Sequence, residues 1–237
     1  ARRSRRAVRD LAVAASLLTA VPIPVSVGGR TSAAAWFPLV GLALGTLSAA
    51  AGAVLVGPIG APAHVAGALL IALGAVATRM LHLDGLADVA DAWWGGGTPE
   101  ARRRIMKDSH VGSFGAAALL IVMLLEFSAL VIVLEQRAWW VLLVAVMVSR
   151  MAATFAASLG TAAEGSTLGA SVMRPSVPLF LIVGGVCLAF CGALAVSAAG
   201  LAGSVLLVVG VLAAAACPHV ISGRMGGVTG DVMGAAV

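Results

Sequence analysis

The sequence predicts an all-α, polytopic integral membrane protein: a bundle of about six transmembrane helices led by an N-terminal interfacial helix, in one domain over residues 1–237. Three observations predict it. The chain is 61% hydrophobic and only 11% charged, with a mean hydropathy of +1.07. Apolar stretches of roughly twenty residues, the length a helix needs to cross a bilayer, recur from end to end. No polar stretch is long enough to form a separate soluble domain. In a soluble protein the net charge of +5 would point to nucleic acid. Here the basic residues lie in segments between apolar spans, so they read as orientation against an anionic membrane, and no nucleic-acid partner is expected.

Residues 1–20 begin with Arg2, Arg3, Arg5, Arg6 and Arg9 and continue into a short apolar run. That run is too short to cross the membrane and predicts an interfacial helix with a basic lead, ended by Pro22-Ile23-Pro24. The Arg-rich start lacks the short apolar region and small-residue cleavage site of a signal peptide. Six spans are expected at about 33–57, 62–83, 113–134, 138–159, 177–199 and 200–218. They are rich in Gly, Ala and Ser, which let helices pack closely in lipid and allow, without specifying, a homo-oligomer. Basic residues concentrate in the N-terminal segment (six Arg, counting Arg30), in 84–112 (Arg102, Arg103, Arg104, Lys107), at Arg174 and at Arg224. With six spans these segments fall on one side, which the positive-inside rule makes cytoplasmic. Cys187, Cys191 and Cys217 all lie in apolar segments and read as small buried hydrophobes.

Of the ten acidic residues, three fall within eight positions in His82-Leu83-Asp84-Gly85-Leu86-Ala87-Asp88-Val89-Ala90-Asp91. The spacing i, i+4, i+7 puts Asp84, Asp88 and Asp91 on one helix face, within about 60° of arc. Carboxylates stacked so closely repel and raise each other's pKa. A bound divalent cation, most simply Mg²⁺, would remove the conflict, and the alternative is a solvated helix end paired with arginines. His82 is a candidate ligand or neighbour to a ligand. Arg102, Arg103, Arg104 and Lys107 are suited to clamping phosphate, with Asp108 as a further metal ligand or a base and Ser109 as a polar contact; the alternative is a positive-inside anchor with a polar turn. A glycine-rich stretch with Thr229 and Asp231 could complete the metal site or hold a nucleotide; a flexible linker is the plainer reading. Arg79 can reach the interface or the aspartates. Arg150 lies deep in a span and needs a partner, and Glu126, mid-span, is the candidate for a structural ion pair with either Arg150 or Arg79.

In order along the chain, Leu18-Thr19-Ala20-Val21-Pro22-Ile23-Pro24, Phe37-Pro38-Leu39-Val40-Gly41, the His82–Asp91 block, Ile105-Met106-Lys107-Asp108-Ser109 with Gly112 and Gly115, and Gly226-Gly227-Val228-Thr229-Gly230-Asp231 with Gly234-Ala235 resemble the cobalamin synthase, or adenosylcobinamide-GDP ribazoletransferase, family. The resemblance covers nearly the whole chain. It differs at Arg104, where many members carry glutamate, and at the end, where members usually continue into another helix. The resemblance implies a multi-pass enzyme of the plasma (inner) membrane with its active site facing the cytoplasm. It would use Mg²⁺ to join adenosylcobinamide-GDP to α-ribazole or α-ribazole 5′-phosphate, releasing GMP. On that reading Asp84, Asp88 and Asp108 are the catalytic candidates. Asp84, Asp88, Asp91 and Asp231 are candidates for the metal, and His82, Arg103, Lys107, Ser109 and Thr229 for substrate. Membrane lipid is a further expected partner. Two other readings remain at this stage. One is a CDP-alcohol phosphotransferase-like phospholipid enzyme, against which stands Asp88 where that pattern has arginine. The other is a cation transporter, against which stands the gathering of acids at one membrane face.

Overall fold

Each apolar segment becomes a helix because backbone polar groups in hydrocarbon must be satisfied within their own segment. The computed structural model describes residues 2–25, 31–166 and 171–237; Arg30, counted above in the basic lead, lies outside them. The helices are α1 (Arg2–Leu18), α2 (Phe37–Val56) entered through a 3₁₀ turn (Ala33–Trp36), α3 (Ala63–Ala77), α4 (Leu81–Gly95), α5 (Pro99–Ile105), α6 (Ser113–Glu135), α7 (Trp139–Leu159), α8 (Val177–Met225) and α9 (Gly230–Ala235). Among the described residues, four segments are long and apolar enough to cross a membrane: Ala33–Val56, Ser113–Glu135, Trp139–Leu159 and Val177–Met225. The bent pair α3–α4 makes a fifth if it is one broken span.

Two departures from the expected spans have physical causes. The apolar run 62–83 does not continue as one helix. It stops at Ala77, and Arg79 and Met80 take left-handed backbone angles (φ 53° and 56°), so α4 leaves at 87° to α3. The turn is held from outside: Arg79 Nη2 donates to the Ser16 carbonyl at 2.8 Å, and the Ala20 N–H donates to the Ala77 carbonyl at 2.7 Å. The aspartate run therefore lies on its own helix, at 87° to the apolar α3, rather than on a straight continuation of it. Conversely, α8 has 49 residues, about 74 Å of helix and far more than a bilayer needs. Gly200 breaks it with φ 54° and ψ −128°. Gly203 then lies against the Ala195 backbone and Gly192 against Leu207, so the two halves fold back as a hairpin. The expected boundary between 199 and 200 falls at this break.

The centre of the bundle is α2 against α7. A Cβ on Gly41 would stand 2.9 Å from the Val146 carbonyl oxygen, and one on Gly45 would stand 2.8 Å from Leu143 Cα. Small residues thus set the separation, as in lipid they must when apolar burial alone gives helices no reason to associate. Helix α1 is not merely laid on the membrane. Its Val13, Ala14 and Leu18 are buried with Phe37, Ala153 and Val228. Cys187 and Cys191 are buried between α7 and α8, whereas Cys217 is exposed.

Candidate active site

The short helix α9 lies across α4 at a crossing of two glycines. A Cβ on Gly85 would come within 2.7 Å of the Asp231 carbonyl oxygen and 3.0 Å of the Ala235 nitrogen; one on Gly234 would stand 3.0 Å from the Leu81 oxygen. The glycine that follows Asp84 therefore admits a backbone, that of α9, and so brings Asp231 to the aspartates of α4. Local chemistry fixes α9 in place. Gly226 (φ 74°) ends α8 in the left-handed conformation that suits glycine. Val228 exchanges backbone hydrogen bonds with Thr161 and Ala163. The Thr229 hydroxyl accepts from the Val232 N–H at 3.1 Å as the cap of α9, and also lies 3.4 Å from Asp231 Oδ2. Thr229, expected to contact substrate, has this capping task in the structure.

Asp84 is exposed, while Asp88 and Asp231 are half-buried. Burial first, and then the charges of Asp84, Asp231 and Asp91, push Asp88 up to about 6. Burial also raises Asp231, with Asp84 adding to the shift and the hydrogen bonds at the α9 N-terminus opposing it. The three groups thus feel one another across the α4–α9 crossing. They are hard oxygen donors under mutual repulsion, and in donor type they fit a divalent cation such as Mg²⁺. Among the described residues, no three His, Cys, Asp or Glu side chains are gathered closely enough to hold a metal ion in the present arrangement.

Asp91 is occupied differently. Its Oδ2 accepts from the Gly112 N–H at 2.7 Å and its Oδ1 from the Gly115 N–H at 2.8 Å, closing the N-terminus of α6 from the neighbouring helix. Both glycines are required there, since a Cβ on either would collide with the Asp91 carboxylate. The spacing Gly-x-x-Gly at a helix start, paired with a distant acid, was the signal in the sequence that could have revealed this cap.

The basic loop divides in two. Arg102 Nη1 donates to the Arg224 carbonyl at 2.9 Å and Arg103 Nη1 to the Met225 carbonyl at 3.4 Å. These two arginines satisfy the last carbonyls of α8 and complement the negative end of its dipole. Arg103 also pairs with Glu100 at 3.3 Å. Of the expected substrate contacts, Arg103 is thus engaged within the chain, while Lys107 and Ser109 are exposed, as is Arg104. Asp108 is exposed and bound to His110, ring nitrogen to Oδ1 at 2.6 Å, which lowers its pKa and makes it a weak base. Arg224 stacks over Trp93, 4.6 Å from the ring centroid, whereas Trp94 stays exposed beside Phe114.

His82 lies on the far side of α4 from the aspartates. Burial, helped by the charge of Arg150, pushes it down to about 3, so its ring is neutral. Both ring nitrogens are buried without a hydrogen-bond partner, although the Gly234 backbone lies beside them. Arg150 and Glu126 do not form the expected ion pair within 4 Å. Arg150 Nη1 donates instead to Ser149 Oγ at 2.8 Å.

Residues 10–237 match the cobalamin-5-phosphate synthase family. The chain is 37% identical over 244 residues to a protein of Chlorobium phaeobacteroides named adenosylcobinamide-GDP ribazoletransferase, covering 96% of this chain and 92% of that one. A protein of the same name from Chlorobaculum tepidum is 37% identical over 231 residues, covering 95% and 89%. One from Ralstonia nicotianae is 44% identical over 116 residues, covering 47% and 45%. No solved structure matches the chain. The motifs that meet at the α4–α9 crossing lie within the matched residues, and the chain belongs to the cobalamin-5-phosphate synthase family.

Proposed function

We propose that the protein is an adenosylcobinamide-GDP ribazoletransferase of the plasma (inner) membrane, acting as one unit with its site facing the cytoplasm. It joins adenosylcobinamide-GDP to α-ribazole or α-ribazole 5′-phosphate. The observation that carries this reading is the crossing of α9 over α4 at Gly85 and Gly234, which brings the Asp231 backbone onto the helix of Asp84 and Asp88, in a chain whose relatives bear that name. A ribose hydroxyl oxygen attacks phosphorus in the diphosphate. One O–P bond forms, the phosphoric anhydride bond breaks, and GMP leaves.

Asp84, Asp88 and Asp231 are the residues that would hold Mg²⁺. The ion would supply neutralisation of charge on the diphosphate oxygens. Asp88, raised to about 6, suits the acceptance of the hydroxyl proton near neutral pH better than Asp108, whose pKa is lowered by His110. Lys107 and Arg104, both exposed, would offer charge to the phosphates, with Ser109 two residues beyond Lys107. Asp91 supports the site by joining α4 to α6, and Thr229 supports it by fixing α9.

The test is GMP release by the purified protein in lipid, supplied with adenosylcobinamide-GDP and α-ribazole 5′-phosphate, with Mg²⁺ or with EDTA. Release should need Mg²⁺ and fall by at least about 100-fold in Asp84→Asn, in keeping with loss of charge stabilisation at a reacting phosphate. Release that is unaffected by EDTA and by Asp84→Asn would refute this assignment of the aspartates. No release from folded protein would refute the reaction.

A further inference from the structure

The aspartate helix has a second neighbour besides α9. Ala87, Asp91 and Trp94 of α4 follow one another at i, i+4 and i+7, a stripe beside the one that bears Asp84 and Asp88. That stripe meets the start of α6. Asp91 accepts from the Gly112 and Gly115 N–H groups, and a Cβ on Gly115 would stand 2.9 Å from the Ala87 carbonyl oxygen. Phe114 lies in the chain between those two glycines, and its ring centroid is 6.4 Å from that of Trp94, the planes inclined by 32°. The two tryptophans of α4 have opposite fates. Trp93 packs inward and carries Arg224 over its ring, whereas Trp94 is 70% exposed. Phe114 and Val111 are exposed too, at 49% and 59%. Rings this large usually contribute to a core or an interface. Here a pair of them stands open, tied to the aspartate helix through Asp91. Trp94 is six residues past Asp88, about 9 Å along the helix, a distance that one nucleoside can span.

We propose that Trp94 and Phe114 form a stacking platform for the base of the attacking nucleoside, α-ribazole, at the α6 edge of the aspartate face. That the ligand is α-ribazole rests on the reaction proposed above; that the platform takes a planar ring rests on the two aromatic side chains. The base of α-ribazole is dimethylbenzimidazole, a flat methylated bicycle with one free ring nitrogen. Such a base offers a protein its faces and little else, and stacking on aromatic side chains needs no contact with its edge. The guanine of the leaving nucleotide carries several donors and acceptors on its edge, which two hydrocarbon faces and a valine would leave unread. With the base on the platform and its ribose over α4, a ribose hydroxyl comes to Asp88, the proton acceptor assigned above. The competing role is that of an interfacial aromatic pair, set at the membrane surface as an anchor.

Calorimetry on the full chain in lipid nanodiscs, with Mg²⁺ and either α-ribazole or GMP, separates the two roles without turnover. α-Ribazole has no phosphate, so its affinity reports the base and ribose alone. Trp94→Leu should weaken α-ribazole binding by about 5- to 100-fold, the range for losing one stack of a base on an aromatic ring. Phe114→Leu should weaken it by several-fold, and Trp94→Phe, which keeps a ring, should recover part of the loss. GMP binding should stay within about twofold in all three, because an exposed substitution away from a ligand perturbs it little. If Trp94→Leu does not fold, Trp94→Phe and Phe114→Leu decide. Wild-type affinity for α-ribazole in the folded variants, an equal loss of GMP affinity, a loss confined to GMP, or no α-ribazole binding by the wild type would overturn the proposal. Trp94-dependent α-ribazole binding together with no GMP release in the complete reaction would refute the transferase reaction and leave the platform standing. GMP release by a protein whose α-ribazole binding ignores Trp94 would do the reverse.

Discussion

Ionising Asp88 in the folded chain puts a charge in a half-buried place already facing Asp84, Asp231 and Asp91. Folding therefore raises its pKa from 3.8 to about 6. The folded state binds that proton more tightly than the unfolded one. The stability this contributes is complete below the ordinary carboxylate value and is lost as pH rises through about 6. In EDTA, Asp88→Asn should thus melt higher than wild type at pH 7.5 and converge with it at pH 4. The gain should be about 1 kcal/mol or less, because solvent screens a group this exposed. Millimolar Mg²⁺ should raise the melting temperature of the wild type and have little effect on the variant; parallel melting curves across pH would count against the coupling. The shared face of Asp84, Asp88 and Asp91 was legible in their spacing. What spacing could not convey was that Asp91 has both oxygens taken by α6, because that depends on where residues 112 and 115 arrive. The tasks of Arg103 and Thr229 were hidden for the same reason, since a charged or hydroxyl side chain looks alike in sequence whether it meets a ligand or a helix end.

Helix α6 makes the cost of such an end measurable. Its first N–H groups have no partner within the helix, and Asp91 supplies one from α4. Asp91→Ala should cost about 1–2 kcal/mol, the usual range for losing a helix cap, read as a lower melting temperature. Gly115→Ala should also destabilise, because its Cβ would displace the carboxylate. Binding of Mg²⁺ by folded Asp91→Ala should survive better than by Asp84→Asn; equal loss would return Asp91 to the metal. At the α4–α9 crossing, Gly85→Ala would drive a Cβ to within 2.7 Å of the Asp231 oxygen. The element displaced is α9, so transferase activity should fall at least tenfold while the melting temperature of the whole bundle changes by only a few degrees, as befits a local, six-residue element. Unchanged activity would mean that Asp231 need not meet α4. The elements themselves were mostly legible because hydrophobic length is a strong signal. The turn at Arg79 and Met80 was not, because the apolar run passes through it and the contacts holding it come from Ser16 and Ala20.

For the molecule as a whole, one arrangement satisfies both the charges and the folding. Arg102, Arg103, Arg104 and Lys107, the aspartates of α4 and α9, and the basic α1 docked on the α3–α4 turn all belong to one face. The α2–α3 turn around Gly60 and the hairpin at Gly200 carry no charge and fit the opposite face. The helix-length argument agrees, since α8 can begin and end on the site's face only by crossing twice. In the orientation proposed above, which follows the positive-inside rule, this charged face is the cytoplasmic one. In a Cys217→Ala background, with Cys187 and Cys191 buried, single cysteines at Ser109, Ala61 and Ala199 can be probed with a membrane-impermeant thiol reagent. Ser109→Cys should label in inverted vesicles only, and Ala61→Cys and Ala199→Cys in right-side-out spheroplasts only. Labelling of Ala199→Cys from the same side as Ser109→Cys would mean that the hairpin does not cross, leaving the two halves of α8 against one membrane face. Labelling of all three from the opposite sides to those expected would keep the hairpin and turn the site away from the cytoplasm.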